Sequence, residues 1–155
     1  MKIIKLYVLV AALISSLTTN AQEISWDFDG NDNVDALSDG LLLLRHTFGV
    51  RGDALVADAV ALDSPHTSAQ IEANIDAGYQ IADIDNNGNV DALSDGLILL
   101  RYMFGLRGET LIADTVSPTA TRNTHTAITQ YIESHMPSDD SDDSDDSDGS
   151  DGSDG

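Results

Sequence analysis

The chain has 155 residues, no cysteine and a formal net charge of −20, set by 27 acidic residues against seven lysines and arginines. Such a balance excludes nucleic acid and anionic membrane as electrostatic partners, and the absence of cysteine excludes a disulfide framework. A core of this size then needs another staple.

Residues 1–21 carry Lys2 and Lys5, an apolar run from Tyr7 to Ile14 and a polar stretch ending Thr-Asn-Ala before Gln22. That order predicts a signal peptide and export, to the extracellular space or a periplasm, with a mature chain starting at Gln22. No cysteine follows the run to take a lipid. The run is too short to span a bilayer and no later segment comes close, so membrane insertion is not expected.

The next segment, Asp27-Phe-Asp-Gly-Asn-Asp-Asn-Val-Asp-Ala-Leu-Ser-Asp-Gly40, recurs as Asp83-Ile-Asp-Asn-Asn-Gly-Asn-Val-Asp-Ala-Leu-Ser-Asp-Gly96. Oxygen-bearing side chains stand at every second residue, which is how a tight loop wraps oxygens around a hard cation, and the loop spacing implies two Ca²⁺ ions. Counted as a calcium loop, the ligands fall on Asp27, Asp29, Asn31, the carbonyl of Asn33 and Asp35, and on Asp83, Asp85, Asn87, the carbonyl of Asn89 and Asp91. At the sixth place the second loop has Gly88, which takes positive φ freely, whereas the first has Asp32, so the first site is expected to be the weaker. The twelfth place holds Ser38 or Ser94 instead of a bidentate carboxylate. Either the loop is one residue longer and Asp39 and Asp95 close it, or the serines cap the following helix and the aspartates complement its dipole.

Past each loop the duplication continues, residues 41–58 matching residues 97–114. Each unit predicts a helix from about Ser38 or Ser94 that stops at Gly49 or Gly105. Leu37, Leu41, Leu44 and Phe48, like Leu93, Leu97, Leu100 and Phe104, fall on one helical face and are expected to form the core between the copies. Leu42, Leu43, Ile98 and Leu99 widen that face, which implies burial on two sides or a partner surface. A second helix is expected over 67–76 and over 124–135, with Thr67 and Thr124 as N-caps and Ile71, Ile75, Ile128 and Ile132 facing inward. The domain accordingly runs over 22–137, with repeat one at about 27–76 and repeat two at about 83–135. Residues 138–155 are only Ser, Asp and Gly, a composition with no apolar surface to bury, and read as a disordered acidic tail or linker.

Nothing in the chain predicts an enzyme. His46, His66, His125 and His135 have no nucleophile motif around them, no zinc-ligand spacing joins them, and each is expected at the surface or partly packed.

The pattern Asp-x-Asp-x-Asn-Gly-x-Val-Asp followed by Leu97-Ile-Leu-Leu-Arg-Tyr-Met-Phe-Gly105 resembles the duplicated calcium-binding repeat of type I dockerins. The resemblance covers residues 27–49 and 83–105, and the 56 residues from Asp27 to Asp83 separate the repeats more widely than in that family. It implies a mainly α fold: two dockerin-like Ca²⁺ loop-helix repeats, each half an EF-hand, related by an approximate two-fold axis, with additional covering helices here. It also implies a noncatalytic module for protein–protein interaction with a cohesin-like partner. The partner surface it implies consists of Ala36, Leu37 and Arg45 with Ala92, Leu93 and Arg101. The other readings are an accessory component of an extracellular polysaccharide-degrading system and an extracellular calcium buffer.

Overall fold

The computed structural model describes residues 24–137. The expected signal peptide and acidic tail lie outside the described residues. Within them each repeat passes from loop to helix through a π-helical turn, Ala36–Gly40 and Ala92–Gly96. Asp35 and Asp91, both extended, start these turns by accepting the amides of residues 37 and 38 and of residues 93 and 94. The Gly40 amide then donates to the Asp35 carbonyl and the Gly96 amide to the Asp91 carbonyl, each at 3.1 Å. A five-residue step takes one residue more than an α-turn.

From the first turn continues α1 (Leu41–Thr47), then the short α2 (Asp53–Val56) and the longer α3 (Ser68–Gly78). Repeat two supplies α4 (Leu97–Met103), α5 (Glu109–Ile112) and α6 (His125–Glu133). The stops expected at Gly49 and Gly105 are Schellman closures. Gly49, at φ 83°, donates to the His46 carbonyl and Val50 to that of Arg45, with Gly105 and Leu106 repeating the pair on Tyr102 and Arg101. Thr67 starts α3 in a capping box with Gln70, and Thr124 caps α6 through the Ala127 amide.

The core corrects the expected helical face. Leu42 and Leu43 of α1 and Ile98 and Leu99 of α4 are fully buried among Trp26, Phe28, Ile71, Ile75, Ile128 and Ile132, whereas Leu37, Phe48, Leu93 and Phe104 are exposed. The cause is the π turn: its extra residue breaks the phase between residue 37 and residue 41, so an uninterrupted α-period misassigns the stripe. Phe48 and Phe104 sit at the helix ends, past the packed turns. Leu41 and Leu44 are half-buried, and α1 packs on two sides: toward α3, where His46 meets Asp76, and toward repeat two, where Leu44 meets Gly96.

That second contact is reciprocal. A Cβ on Gly40 would lie 2.8 Å from Met103 Sδ and 3.0 Å from Leu100 Cδ1, and one on Gly96 would lie 3.0 Å from Leu44 Cδ1. Each π turn therefore ends on a glycine pressed against the other repeat's helix, an approach that only a missing side chain allows.

His46, expected at the surface or partly packed, is fully buried, its side chain 2 % exposed. Its Nε2 lies 3.1 Å from Asp76 Oδ1 on α3 without the alignment of a hydrogen bond, and its ring meets that of Tyr79 edge-on at 5.1 Å. Burial, reinforced by Arg51, pushes its pKa down. The matching Tyr102 is also buried and donates to Glu133 on α6. Finally, the two edges of the described region are fastened together: the Trp26 indole N–H donates to the Ile132 carbonyl at 2.8 Å and the Trp26 amide to the His135 carbonyl at 3.2 Å.

Candidate metal centre

Each loop folds by using its aspartates as acceptors for its own amides. Asp27 takes Gly30 and Asn31 on Oδ1 and Asp32 on Oδ2, which curls the tip, and Asp83 takes Asn87 and Gly88 in the same way. Asn31 Oδ1 accepts the Asn33 amide at 3.0 Å, and Asn87 Oδ1 the Asn89 amide at 2.8 Å. The curl needs positive φ at two places per loop. Gly30 (74°) and Asp32 (62°) supply it in the first, Asn86 (55°) and Gly88 (89°) in the second.

The buried carboxylates organise the base of each loop. Asp39, fully buried, accepts the Phe28 and Asp29 amides on Oδ1 and the Asp35 amide with the Ser38 hydroxyl on Oδ2. Asp95 has the corresponding set from Ile84, Asp85, Asp91 and Ser94. Asp29 and Asp85 reach across to the segment after the short helix, where their Oδ2 atoms accept the Ala61 and Ser117 amides, each at 2.8 Å. The loop, the first helix and the crossing segment of each repeat thus converge on two buried aspartates.

Convergence brings three carboxylates together in each repeat. Asp27, Asp29 and Asp39 each offer an oxygen within 4.8 Å of the others, and so do Asp83, Asp85 and Asp95. These two groups could hold a metal ion. Asp35 and Asp91 cap the π turns with Oδ1 while their amides donate to Asp39 and Asp95, and the Asp35 charge adds to the repulsion on Asp29. The Asn31 and Asn87 amides lie along the loop, while Asn33 and Asn89 are exposed at its tip. At the closing position it is Asp39 and Asp95 that join the triads, and Ser38 and Ser94 donate to them.

Electrostatics favour a cation at both places. Burial pushes the Asp39 carboxyl up to about 7, against the pull of the amides it accepts. Burial also raises Asp95 and Asp29, the latter with repulsion from Asp27 added. Asp29 Oδ1 is buried with no hydrogen-bond partner, an arrangement that costs about 1–3 kcal/mol or more for a charged group unless a ligand fills it. No arginine among the described residues pairs with these six aspartates. Arg45 and Arg101 instead donate to the carbonyls of Leu55 and Ala57 and of Leu111 and Ala113, tying the short helices to α1 and α4. A donor set made only of oxygen suits a hard divalent cation, not a thiophilic one.

The residues implied as partner-facing are split by the fold. Leu37 and Leu93 are 68 % and 69 % exposed, Ala36 and Ala92 are buried, and Arg45 and Arg101 are half-buried in the ties just described. Sequence reasoning missed Ala61 and Ser117, whose amides position Asp29 and Asp85; backbone donors leave no residue-type signal. Among the described residues no helix is long and apolar enough to cross a membrane. Comparison with protein-family models, with curated proteins and with solved structures gave no match to this chain.

Proposed function

We propose that the protein is an exported, noncatalytic, Ca²⁺-dependent binding module of the dockerin-like kind, in which two calcium ions hold a surface in shape for a protein partner. The observation that carries the reading is the three-aspartate pocket, built in both repeats on a matching closing aspartate; in the first, Asp29 Oδ1 is buried without a partner, whereas in the second Asp85 Oδ1 accepts the Asn87 amide at 3.1 Å. Three carboxylates gathered this closely repel one another, and a dication both cancels the repulsion and takes the free oxygen. Asn31 and Asn87 offer neutral oxygens beside each triad, and water completes a shell of six to eight. Calcium fits a flexible loop of this kind better than Mg²⁺, whose smaller octahedral shell demands stricter geometry. The exposed Leu37, Phe48, Leu93 and Phe104 favour a partner-binding role over simple calcium buffering.

Titration calorimetry on the chain without its first 21 residues tests this, with thermal melting in calcium and in EGTA. Two Ca²⁺ per chain are expected, and at 100 times Kd each site adds about 2.7 kcal/mol of stability. No heat with calcium and one melting curve in both solutions would refute the proposal.

A further inference from the structure

Beside the first π turn runs an open groove of about 330 Å³, lined by Asp35, Leu37, Asp58 and Val60 among others. We infer that this groove docks a cationic and apolar surface of a partner protein, a Lys or Arg side chain lying between Asp35 and Asp58 while an aliphatic neighbour covers Leu37 and Val60. The inference rests on the binding-module reading above and names the chemistry of its partner.

Charge complementarity selects that occupant. The groove carries two carboxylates and no base. Nor can a cation of this chain swing in from the described surface, because all five described arginines are tied to backbone carbonyls. Arg45 and Arg101 hold the short helices, Arg51 and Arg107 hold the ends of α1 and α4, and Arg122 holds the second loop at Asp83 and Ile84 while stacked on Tyr131. A second copy of a chain with net charge −20 would meet the groove with more acid, and anionic lipid would be repelled. Asp58 is an exposed aspartate held at φ 53°, a conformation that Asn tolerates equally well, so the backbone there does not require a charge. Repeat two has the same residues in the same order, Asp91, Leu93, Asp114 and Val116, with Asp114 at φ 58° and Leu93 equally exposed.

The experiment uses the calcium-loaded chain and the capped peptide Lys-Leu-Lys-Leu-Lys, with Glu-Leu-Glu-Leu-Glu as its counterpart, followed by amide NMR shifts. The basic peptide is expected to move Leu37, Asp58 and Val60, and the acidic one is not. Asp58→Asn should weaken binding at those amides about three- to five-fold, as expected for an exposed ion pair, and Leu37→Ser should weaken it several-fold. Added salt should cut the first effect more than the second. Shifts confined to residues 138–155, equal binding of the acidic peptide, or parental affinity in both variants would overturn the inference. A calcium isotherm on the same samples separates the two failures: loss of the groove effects with two ions still bound refutes the docking surface alone, and absence of calcium binding refutes the reading beneath it.

Discussion

The two loops solve one backbone problem with opposite residues. Each must place its fourth and sixth residues at positive φ; the first uses glycine then aspartate, Gly30 and Asp32, and the second uses asparagine then glycine, Asn86 and Gly88. Below the tips the closing aspartates agree bond for bond, Asp39 and Asp95 each gathering three amides and a hydroxyl, while Asp85 Oδ1 accepts the Asn87 amide and Asp29 Oδ1 has no partner. The comparison teaches that carboxylate positions are fixed by the base of the loop, whereas the tip needs only a shape. It also removes the reason for expecting the first site to be weaker. Each tip contains one unstrained glycine and one Asx residue in the left-handed region, where such residues are the least penalised.

If the base governs both sites alike, damage there should be large and equal. Asp39→Ala and Asp95→Ala each leave three amides without their acceptor and are expected to destabilise the fold by about 3 kcal/mol or more, and each to reduce bound calcium from two ions to one. Ser38→Ala, which removes one hydroxyl from Asp39, should cost only about 1 kcal/mol. Denaturant unfolding with matched calorimetry measures both, and a Ser38 effect as large as that of Asp39 would break the assignment of the closing ligand.

The next effect is one of pH. The Asp39 carboxyl sits at about 7 in the fold, above its ordinary value of 3.8, so the folded chain favours its protonated form; Asp95 is raised in the same direction. The stability this gives is complete below the ordinary value and is lost as pH rises through about 7. In EGTA the protein should therefore melt higher at pH 5 than at pH 8. Saturating calcium binds the ionised form and should shrink or reverse the difference. Asp39→Asn and Asp95→Asn should each remove part of the dependence, and a metal-free melting temperature that climbs from pH 5 to pH 8 would contradict the burial argument.

At the tips the effects fall below those of the closing aspartates, and the two tips are not interchangeable in both directions. A Cβ on Gly30 would lie 2.2 Å from His66 Cε1, and that ring is held against Asn74 at 3.1 Å, so Gly30→Asn is expected to cost about 1–3 kcal/mol. Asn86→Gly gives up a side-chain bond to Thr121 but relieves a positive φ, and should stay within about 1 kcal/mol. Equal costs by thermal melting would show that His66 yields freely.

Much of this was legible in the sequence because it rests on local chemistry. The aspartates of the triads, the helix stops at Gly49 and Gly105 and the caps at Thr67 and Thr124 all follow from what a residue does to its own turn. The buried face of α1 was not, since a π turn at Ala36–Gly40 leaves no mark that separates it from an α-turn until its phase is seen. His46 was equally hidden: its burial comes from Asp76 and Tyr79, 30 and more residues away. Asp35 and Asp91 show how one residue type carries two roles, as the spacing that marks a ligand also marks a helix cap.

The clasp at Trp26 has a mechanical consequence. Because its amide meets the His135 carbonyl, the polypeptide enters and leaves the domain side by side. Segments joined before residue 24 and after residue 137 would depart together, so the module could be spliced into a surface loop of a larger protein without stretching its host. A pull on both ends would load the Trp26 bonds one after another, as a zipper, before reaching either aspartate triad. The lone tryptophan of the chain would then signal the opening by the change in its fluorescence as the indole meets water.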